Sequence, residues 1–279
     1  MRLRTVEYLA GSLLVCAVLM GSNQVSASEL RDGDASPAKK EDASPAKKEH
    51  GGELPHWSYE GDEGPEKWGD LSPAYLVCGV GVQQSPIDLK DGIGADVGKI
   101  RINYRSTSLN VINNGHTIQV NVDPGSYITL DGKRFNLLQY HFHHKSEHLV
   151  SGKAYELEVH FVHAANDGAL AVLGVLAKRG AKNNALAPVW SIMPRAKGEA
   201  SGGVVSPINL LPNNKSFFRY RGSLTTPPCS QKVIWTMFRT PVEMSGAQID
   251  RFSSIFPNNA RPVKPLGRRQ LLVKKLVKK

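Results

Sequence analysis

Short stretches of the chain alternate between apolar and polar residues, which is the pattern of β-strands that bury one face. Residues 117–122 and 139–143 alternate in this way, and apolar runs recur at 109–112 and 171–176. Turn-forming residues separate such stretches, at Asn114-Gly115, Asp123-Pro-Gly125, Asp131-Gly132 and Asp167-Gly168. The pattern predicts many short strands joined by tight turns.

Helical periodicity is scarce along the same part of the chain. The best helix candidate runs from Met244 to Phe256, and Ser245 precedes it as a suitable N-cap residue. We therefore expect a large, mainly β-sheet protein with few helices.

Histidines occupy one face of the predicted strand at 139–143. Because side chains alternate across a strand, Gln139, His141 and His143 share a face, while Tyr140 and Phe142 point to the other face and can fill a core. Two imidazoles at positions i and i+2 lie close enough to bind one metal ion. A histidine on a strand is more often a structural residue than a metal ligand, so this pair alone does not establish a metal site.

A second predicted strand, 155–162, supplies a third imidazole. His160 shares a face with Glu158, and three imidazoles converge if the two strands lie side by side. A catalytic zinc ion takes three protein ligands and keeps one position for water. Gln139 and Glu158 each lie two residues before a histidine, where they can accept a hydrogen bond from its second ring nitrogen.

The beginning of the chain is typical of a secretory signal peptide. An apolar run from Leu9 to Met20 follows a short basic start, and Val25-Ser26-Ala27 is a small-residue cleavage pattern. We predict a signal peptide over residues 1–27 and an exported protein, periplasmic or extracellular. An uncleaved membrane anchor is the alternative.

Composition divides the rest of the chain. Residues 28–52 contain a tandem repeat, DASPAKKE at 34–41 and again at 42–49, which has no aromatic residues and predicts a disordered linker. Residues 53–265 are long enough for one domain with a substantial core. Residues 266–279 form a basic C-terminal tail.

The basic character of the chain comes mostly from its end. The formal net charge is +10, and residues 264–279 contain seven basic and no acidic residues. Residues 53–263 contain 21 basic and 18 acidic residues, so we expect no nucleic-acid binding. Apolar residues interleave with the lysines of the tail, which would suit either an amphipathic helix in weak contact with an anionic surface or a frayed tail.

Two cysteines remain once the signal peptide is removed. Cys78 and Cys229 are expected to pair, because thiols of exported proteins usually form disulfides. Closing so long a loop contributes on the order of 5 kcal/mol in the chain-entropy model. Two free thiols are the alternative.

Several motifs in the middle of the chain occur together in one known family. The motifs are His56-Trp57-Ser58-Tyr59-Glu60-Gly61, Gln84-Ser85-Pro86-Ile87-Asp88, Asn113-Asn114-Gly115-His116, Gln139-Tyr140-His141-Phe142-His143, Ser146-Glu147-His148, Glu158-Val159-His160 and Gly222-Ser223-Leu224-Thr225-Thr226-Pro227-Pro228-Cys229. In this order they resemble the α-class carbonic anhydrases of the exported bacterial kind. The resemblance covers nearly all of residues 53–265.

The resemblance implies a fold, a reaction and a metal site. The fold is a large, twisted, mostly antiparallel β-sheet with a few short peripheral helices, and the reaction is the reversible hydration of CO2 to bicarbonate and a proton. His141, His143 and His160 correspond to the zinc ligands. Thr225 corresponds to the residue that accepts the proton of zinc-bound hydroxide and donates its own to Glu147.

The resemblance also implies a substrate pocket and a route for protons. His116 corresponds to the proton shuttle between zinc-bound water and buffer. The apolar wall that holds CO2 comprises Val162, Val172, Leu224 and Trp235, and Thr226 at its mouth contacts bicarbonate. The polar wall that orders water comprises Tyr59, Asn114 and Gln119. The sequence alone does not distinguish these wall residues from ordinary core or surface residues.

Partners and alternatives follow from the same resemblance. We expect sulfonamides and anions to inhibit at the zinc, and a homodimer is an open alternative to a monomer. The pair His144-Lys145 departs from the family pattern, and His144 is excluded from the metal set because it points away from His143 on a strand. A catalytically silent module that binds a surface and a zinc esterase are the two competing functions.

Overall fold

The computed structural model describes residues 54–274. The predicted signal peptide (1–27), the predicted linker (28–52) and residues 275–279 lie outside this range.

Thirteen strands of the described chain form a single sheet. They are β1 (Ile93–Gly94), β2 (Ile100–Asn103), β3 (Thr107–Asn113), β4 (Ile118–Asn121), β5 (Tyr127–Leu130), β6 (Lys133–His143), β7 (Leu157–Ala164), β8 (Leu170–Arg179), β9 (Gly198–Val205), β10 (Phe217–Ser223), β11 (Gln231–Phe238), β12 (Val242–Met244) and β13 (Leu272–Lys274). Tight turns at Asn114-Gly115 and Asp131-Gly132 join β3 to β4 and β5 to β6, as predicted.

The sheet is mixed but mostly antiparallel, which confirms the expected fold class. Its main order is β1-β13-β10-β11-β8-β7-β6-β4-β3-β9. Only β1 with β13, β11 with β8 and β12 with β8 pair in parallel among the described strands. The long strands β6, β7 and β8 lie at the middle, so residues on them are held by neighbours on both sides.

Helices are short and few in the described part of the chain. The α-helices are α1 (Trp68–Leu71), α2 (Leu76–Val80), α3 (Ala187–Ile192) and α4 (Gly246–Ser253), and 3-10 turns span Gly61–Glu63, Pro73–Tyr75, Asn184–Leu186 and Pro207–Leu210. Ser245 caps α4 through a reciprocal capping box with Gln248, as its sequence position indicated. None of these helices has the length and apolar character that a membrane span requires.

The apolar side chains of the sheet form two separate clusters. Tyr140, Phe142 and Phe161 belong to the larger cluster, so the strand 139–143 buries the predicted aromatic pair there. Val172 and Trp235 belong to the second cluster. The predicted disulfide is present: Cys78 and Cys229 are bonded and pack with Trp68 and Tyr75.

The end of the described chain corrects one sequence interpretation. Residues 272–274 were assigned to a basic tail outside the domain, either frayed or helical. They form β13, which pairs with β10 and β1, and Leu271 and Val273 are buried. Leu272 and Val273 therefore extend the sheet beyond residue 265, and Leu271 packs beside them.

Candidate active site

Strand register brings three histidines together at the centre of the sheet. His141 of β6 lies directly opposite His160 of β7, and His143 lies opposite Glu158. The ring centroids of His141, His143 and His160 are 4.6 to 5.2 Å apart. Each of the three offers a ring nitrogen within 4.8 Å of the other two. The predicted convergence of the three imidazoles is thus observed.

The second nitrogen of each ring is already engaged. His141 donates from Nδ1 to Gln139 Oε1 (2.9 Å), and His160 donates from Nε2 to Glu158 Oε1 (2.6 Å). His143 donates from Nδ1 to the backbone carbonyl of Asn259 (2.7 Å). These bonds fix each tautomer and leave Nε2 of His141, Nε2 of His143 and Nδ1 of His160 as acceptors.

The three free nitrogens suit a metal ion. His143 Nε2 is buried and has no hydrogen-bond partner among residues 54–274. Burial lowers the pKa of His141 and of His143, so both rings are neutral at pH 7 and keep a lone pair for a ligand bond. Three imidazoles in a closed group are a donor set that zinc commonly takes in catalytic sites.

A buried network behind Glu158 supports the ring of His160. His148 donates from Nδ1 to Glu158 (2.7 Å) and accepts at Nε2 from the hydroxyl of Tyr220 (2.7 Å). Tyr220 in turn contacts Ser85 Oγ at 2.8 Å. Burial alone would raise the pKa of Glu158, but electrostatic interaction and hydrogen bonds with His148 and His160 outweigh burial and lower that pKa well below its usual range.

Several residues in this region have structural roles that the sequence pattern does not reveal. Asn259 orients His143 through its backbone carbonyl, which no side-chain pattern can reveal. His148 and Tyr220 lie 72 residues apart, and only the folded sheet brings them together. His148 was visible in the motif that contains Glu147, so proximity in that motif was the one available signal.

Glu147 is fully buried beside the imidazoles. Its Oε1 accepts from the backbone N–H of Arg261 (2.9 Å), and its Oε2 lies 3.6 Å from His143 Nε2 and 3.9 Å from His160 Nδ1. Oε2 has no hydrogen-bond partner within the described range. The predicted bond from Thr225 is therefore not formed at this oxygen, although Thr225 is buried too and the acceptor stands free.

The predicted apolar wall belongs to one cluster. Val172 and Trp235 pair across β8 and β11 and are buried, and Val162 pairs with Val172 across β7 and β8. Val162 and Leu224 pack against the same cluster. The Trp235 ring lies 4.8 Å from that of His160, which places apolar surface beside the imidazole group. Thr226 is half-buried in the loop that follows β10.

The polar wall residues take different positions. Asn114 Oδ1 accepts from the backbone N–H groups of His116 and Thr117 (2.9 Å each) and so shapes the turn. Gln119 pairs with His141 in the sheet register, and its amide donates to Asn121 (2.8 Å). Burial raises the pKa of Tyr59 well above its usual value, so its hydroxyl stays protonated.

His116 is stacked on an indole ring. Its imidazole lies 3.8 Å from the ring centroid of Trp57 at an interplanar angle of 10°, and 5.9 Å from that of His56. Burial, followed by the charges of His56 and Lys197, lowers the pKa of His116 to about 4. In this stacked position the ring is neutral at pH 7 and is a weak proton acceptor.

Replacing Trp57 with leucine is expected to raise the pKa of His116 from about 4 towards 6.5, because the ring regains solvent. The fraction of protonated His116 at pH 6 would rise accordingly. An NMR titration of the His116 ring protons measures this directly. A pKa that stays near 4 in the variant would show that the stack does not lower it, and His56→Gln separates the contribution of the neighbouring imidazole.

His144 lies apart from the imidazole group, as the strand pattern indicated. Its Nδ1 donates to the backbone carbonyl of Pro257 (2.8 Å), and Lys145 forms an ion pair with Glu156 (2.9 Å). The sequence departs from the family pattern at His144-Lys145. The side chains of these two residues therefore make their contacts away from the three ligand candidates.

The fold and the site together define a class: a mainly β-sheet protein whose central strands bring the ring nitrogens of three histidines together. The sequence profile of eukaryotic-type carbonic anhydrases matches residues 63–275. A carbonic anhydrase from Nostoc sp. is 46% identical over 227 residues, which are 78% of this chain and 85% of the relative. The chain belongs to the α-class carbonic anhydrase family.

Solved structures agree with this assignment. The α-carbonic anhydrase of Thermovibrio ammonificans, in complex with the inhibitor sulfanilamide, is 47% identical, with a TM-score of 0.76, covering 78% of this chain and 98% of that one. A dioscorin complexed with ascorbate is 31% identical, with a TM-score of 0.77, covering 81% of this chain and 100% of that one. The fold is thus also found in a protein that is named dioscorin and not carbonic anhydrase.

Proposed function

We propose that this protein is a zinc-dependent carbonic anhydrase that hydrates CO2 reversibly to bicarbonate and a proton. One observation carries the proposal: three buried imidazoles whose free nitrogens lie within 4.8 Å of one another while their other nitrogens are fixed by hydrogen bonds. His141, His143 and His160 would hold the metal. Zinc bound there would lower the pKa of a water molecule to about 7 and so supply a nucleophile at neutral pH.

Thr225 and Glu147 would orient that nucleophile. Glu147 Oε2 is a buried acceptor without a partner in the described chain, and a hydroxyl is the donor that suits it. If Thr225 donates to this carboxylate, its own oxygen can only accept a hydrogen bond from the nucleophile. A lone pair of the nucleophile would then face the carbon of CO2, which is catalysis by orientation. Val162, Val172, Leu224 and Trp235 would hold the nonpolar substrate, and Thr226 would contact bicarbonate.

His116 would carry protons between the site and buffer. The ring cannot accept protons efficiently while it is stacked on Trp57, because its pKa there is about 4. The shuttle role therefore requires the ring to leave Trp57 and to recover a pKa near 6.5. Tyr59, Asn114 and Gln119 would order the water that connects it to the metal site.

His116→Ala is expected to slow CO2 hydration about tenfold or more in weak buffer, because proton transfer by a positioned side chain contributes at least that much. Free imidazole at millimolar concentration should restore most of the rate. Stopped-flow measurements at increasing buffer concentration test this. His144→Ala is the matched control and should behave as the parent protein; a His116 variant that is indifferent to buffer would exclude the shuttle role.

Relative rates on two substrates separate this function from that of a zinc esterase. We expect the zinc-loaded protein to turn over CO2 with a kcat/KM far above its value for an activated ester such as 4-nitrophenyl acetate. Sulfanilamide, which binds the Thermovibrio relative, should inhibit both reactions by occupying the same site. A higher kcat/KM for the ester would contradict the proposal, and a zinc-loaded protein inactive on both substrates would favour the silent module.

The disulfide bears on where the enzyme works. The bonded pair Cys78 and Cys229 joins α2 to the loop that contains Thr225 and Thr226, and such bonds persist in oxidising compartments. We propose that the protein is exported to the periplasm or the extracellular space, as the predicted signal peptide indicates. Homodimer formation and contact of the C-terminal residues with an anionic surface remain predictions.

A further inference from the structure

A second cavity lies away from the imidazole group, beside β10. Its volume is about 680 Å³, and it is bordered by residues 96–98, 219–221, 268–270 and 272. Four arginines and two aspartates line it: Arg219, Arg221, Arg268, Arg269, Asp96 and Asp131. None of the three zinc-ligand candidates lines this cavity. The formal charge of these six side chains is +2 at neutral pH.

Arg219 is the buried member of this group. It is only 8% exposed, and its guanidinium donates from Nε to Thr236 Oγ1 (3.3 Å) and from Nη1 to the carbonyl of Val97 (3.0 Å). Its closest carboxylate oxygen, Asp131 Oδ2, is 3.5 Å away and belongs to an exposed side chain. Nη2 has no partner within residues 54–274. Nη2 is closed to solvent, so Arg219 contributes its positive charge to the cavity.

The other three arginines add charge without carboxylate partners. Arg269 is held in place by three backbone carbonyls, those of Arg221, Pro265 and Leu266. No ion pair of Arg221, Arg268 or Arg269 with an acidic side chain occurs in the described chain, whereas Asp96 is already paired with Lys274 (2.7 Å). The cavity therefore keeps an excess of positive charge that the protein itself does not neutralise.

We propose that this cavity binds a phosphate dianion, either as free phosphate or as a phosphate monoester. Phosphate supplies two negative charges to this positively charged wall, whereas bicarbonate supplies only one. Guanidinium groups bind tetrahedral oxyanions through paired N–H donors, and several arginines around one cavity can share one phosphate group. The volume of the cavity exceeds what one phosphate fills, so there is room for the alcohol part of an ester.

Titration of the full chain with inorganic phosphate tests the proposal by a readout independent of zinc. The backbone amides of Gly98 and Gln270 border the cavity, and we expect their NMR signals to shift saturably, while that of Gly168, at a distant turn, does not. Chloride at matched ionic strength is the anion control. A parallel titration with glycerol 3-phosphate distinguishes free from esterified phosphate by which of the two binds more tightly.

Two variants give the expected size of the effect. Arg219→Met should weaken phosphate binding about tenfold or more, because it removes one positive charge from the wall of the cavity. If that variant does not fold, the exposed pair Arg221→Gln and Arg268→Gln should weaken binding to a similar extent. Arg251→Gln, an exposed arginine on α4, is the matched control and should bind as the parent. Shifts that chloride reproduces, or that persist unchanged in the cavity variants, would overturn the proposal.

Discussion

His141→Ala is expected to abolish CO2 hydration and to release bound zinc. The substitution removes one of three imidazoles from the group and leaves Gln139 without its partner. A bound zinc ion contributes several kcal/mol of transition-state stabilisation, so we expect a loss of about a thousandfold or more in kcat/KM. Zinc content by mass spectrometry and stopped-flow hydration rates measure the two effects together.

The neighbouring histidine on the same segment supplies the control for this experiment. His144 donates to a backbone carbonyl instead of facing the imidazole group, so His144→Ala should retain both zinc and turnover. Full turnover in the His141 variant would show that the ligand assignment is wrong. Equal losses in both variants would indicate a general effect on folding.

Glu147→Gln is expected to lower kcat by about a hundredfold, the scale of a lost orientation, while zinc stays bound. Glutamine keeps the shape of the side chain and can still accept from the backbone N–H of Arg261 through its carbonyl oxygen. It removes the negative charge, however, and it can present an N–H donor where Oε2 now offers an acceptor. A Thr225 hydroxyl would then no longer be forced to donate in this direction.

A double-mutant comparison separates orientation from other effects. If Thr225 and Glu147 act as a unit, Thr225→Val and the combined variant should be about as slow as Glu147→Gln alone, because effects within a unit are not additive. Glu156→Gln, which changes a carboxylate that is paired with Lys145, is the matched control and should retain full activity. Independent, additive losses would contradict the shared role.

Local patterns predicted the central strands and the ligand group because both depend on short-range periodicity. If residues 139–143 form a strand, His141 and His143 lie on one face of it, independently of the rest of the chain. The helix capped by Ser245 was visible for the same reason, since capping depends on residues only three positions apart. The pairing of His141 with His160 needed one further assumption, that the two strands are neighbours, and the sheet register confirms it.

Long-range contacts were beyond the reach of the pattern. β13 pairs with β1 and β10, which are distant in sequence. The many lysines around it favoured a tail over a strand, so β13 was not predicted. The stack of His116 on Trp57 joins positions 59 residues apart, and burial in this position lowers the pKa of the imidazole to about 4. The arginines around the second cavity likewise come from separate parts of the chain.

Family membership leaves the activity to be decided by the residues of the site. A dioscorin shares the fold with a TM-score of 0.77, so the sheet by itself does not establish a reaction. In this chain the three imidazoles, their hydrogen-bond acceptors and the free acceptor on Glu147 are all present. These features support an active enzyme over a silent module.

The most direct test is stopped-flow CO2 hydration by the purified protein, before and after zinc removal with a chelator and again after zinc is restored. We expect rapid hydration that disappears with the metal and returns with one equivalent of zinc. The His141→Ala variant should show no recovery in the same experiment. Hydration that persists after complete zinc removal, or its absence with zinc fully bound, would contradict the assignment of this protein as a zinc-dependent carbonic anhydrase.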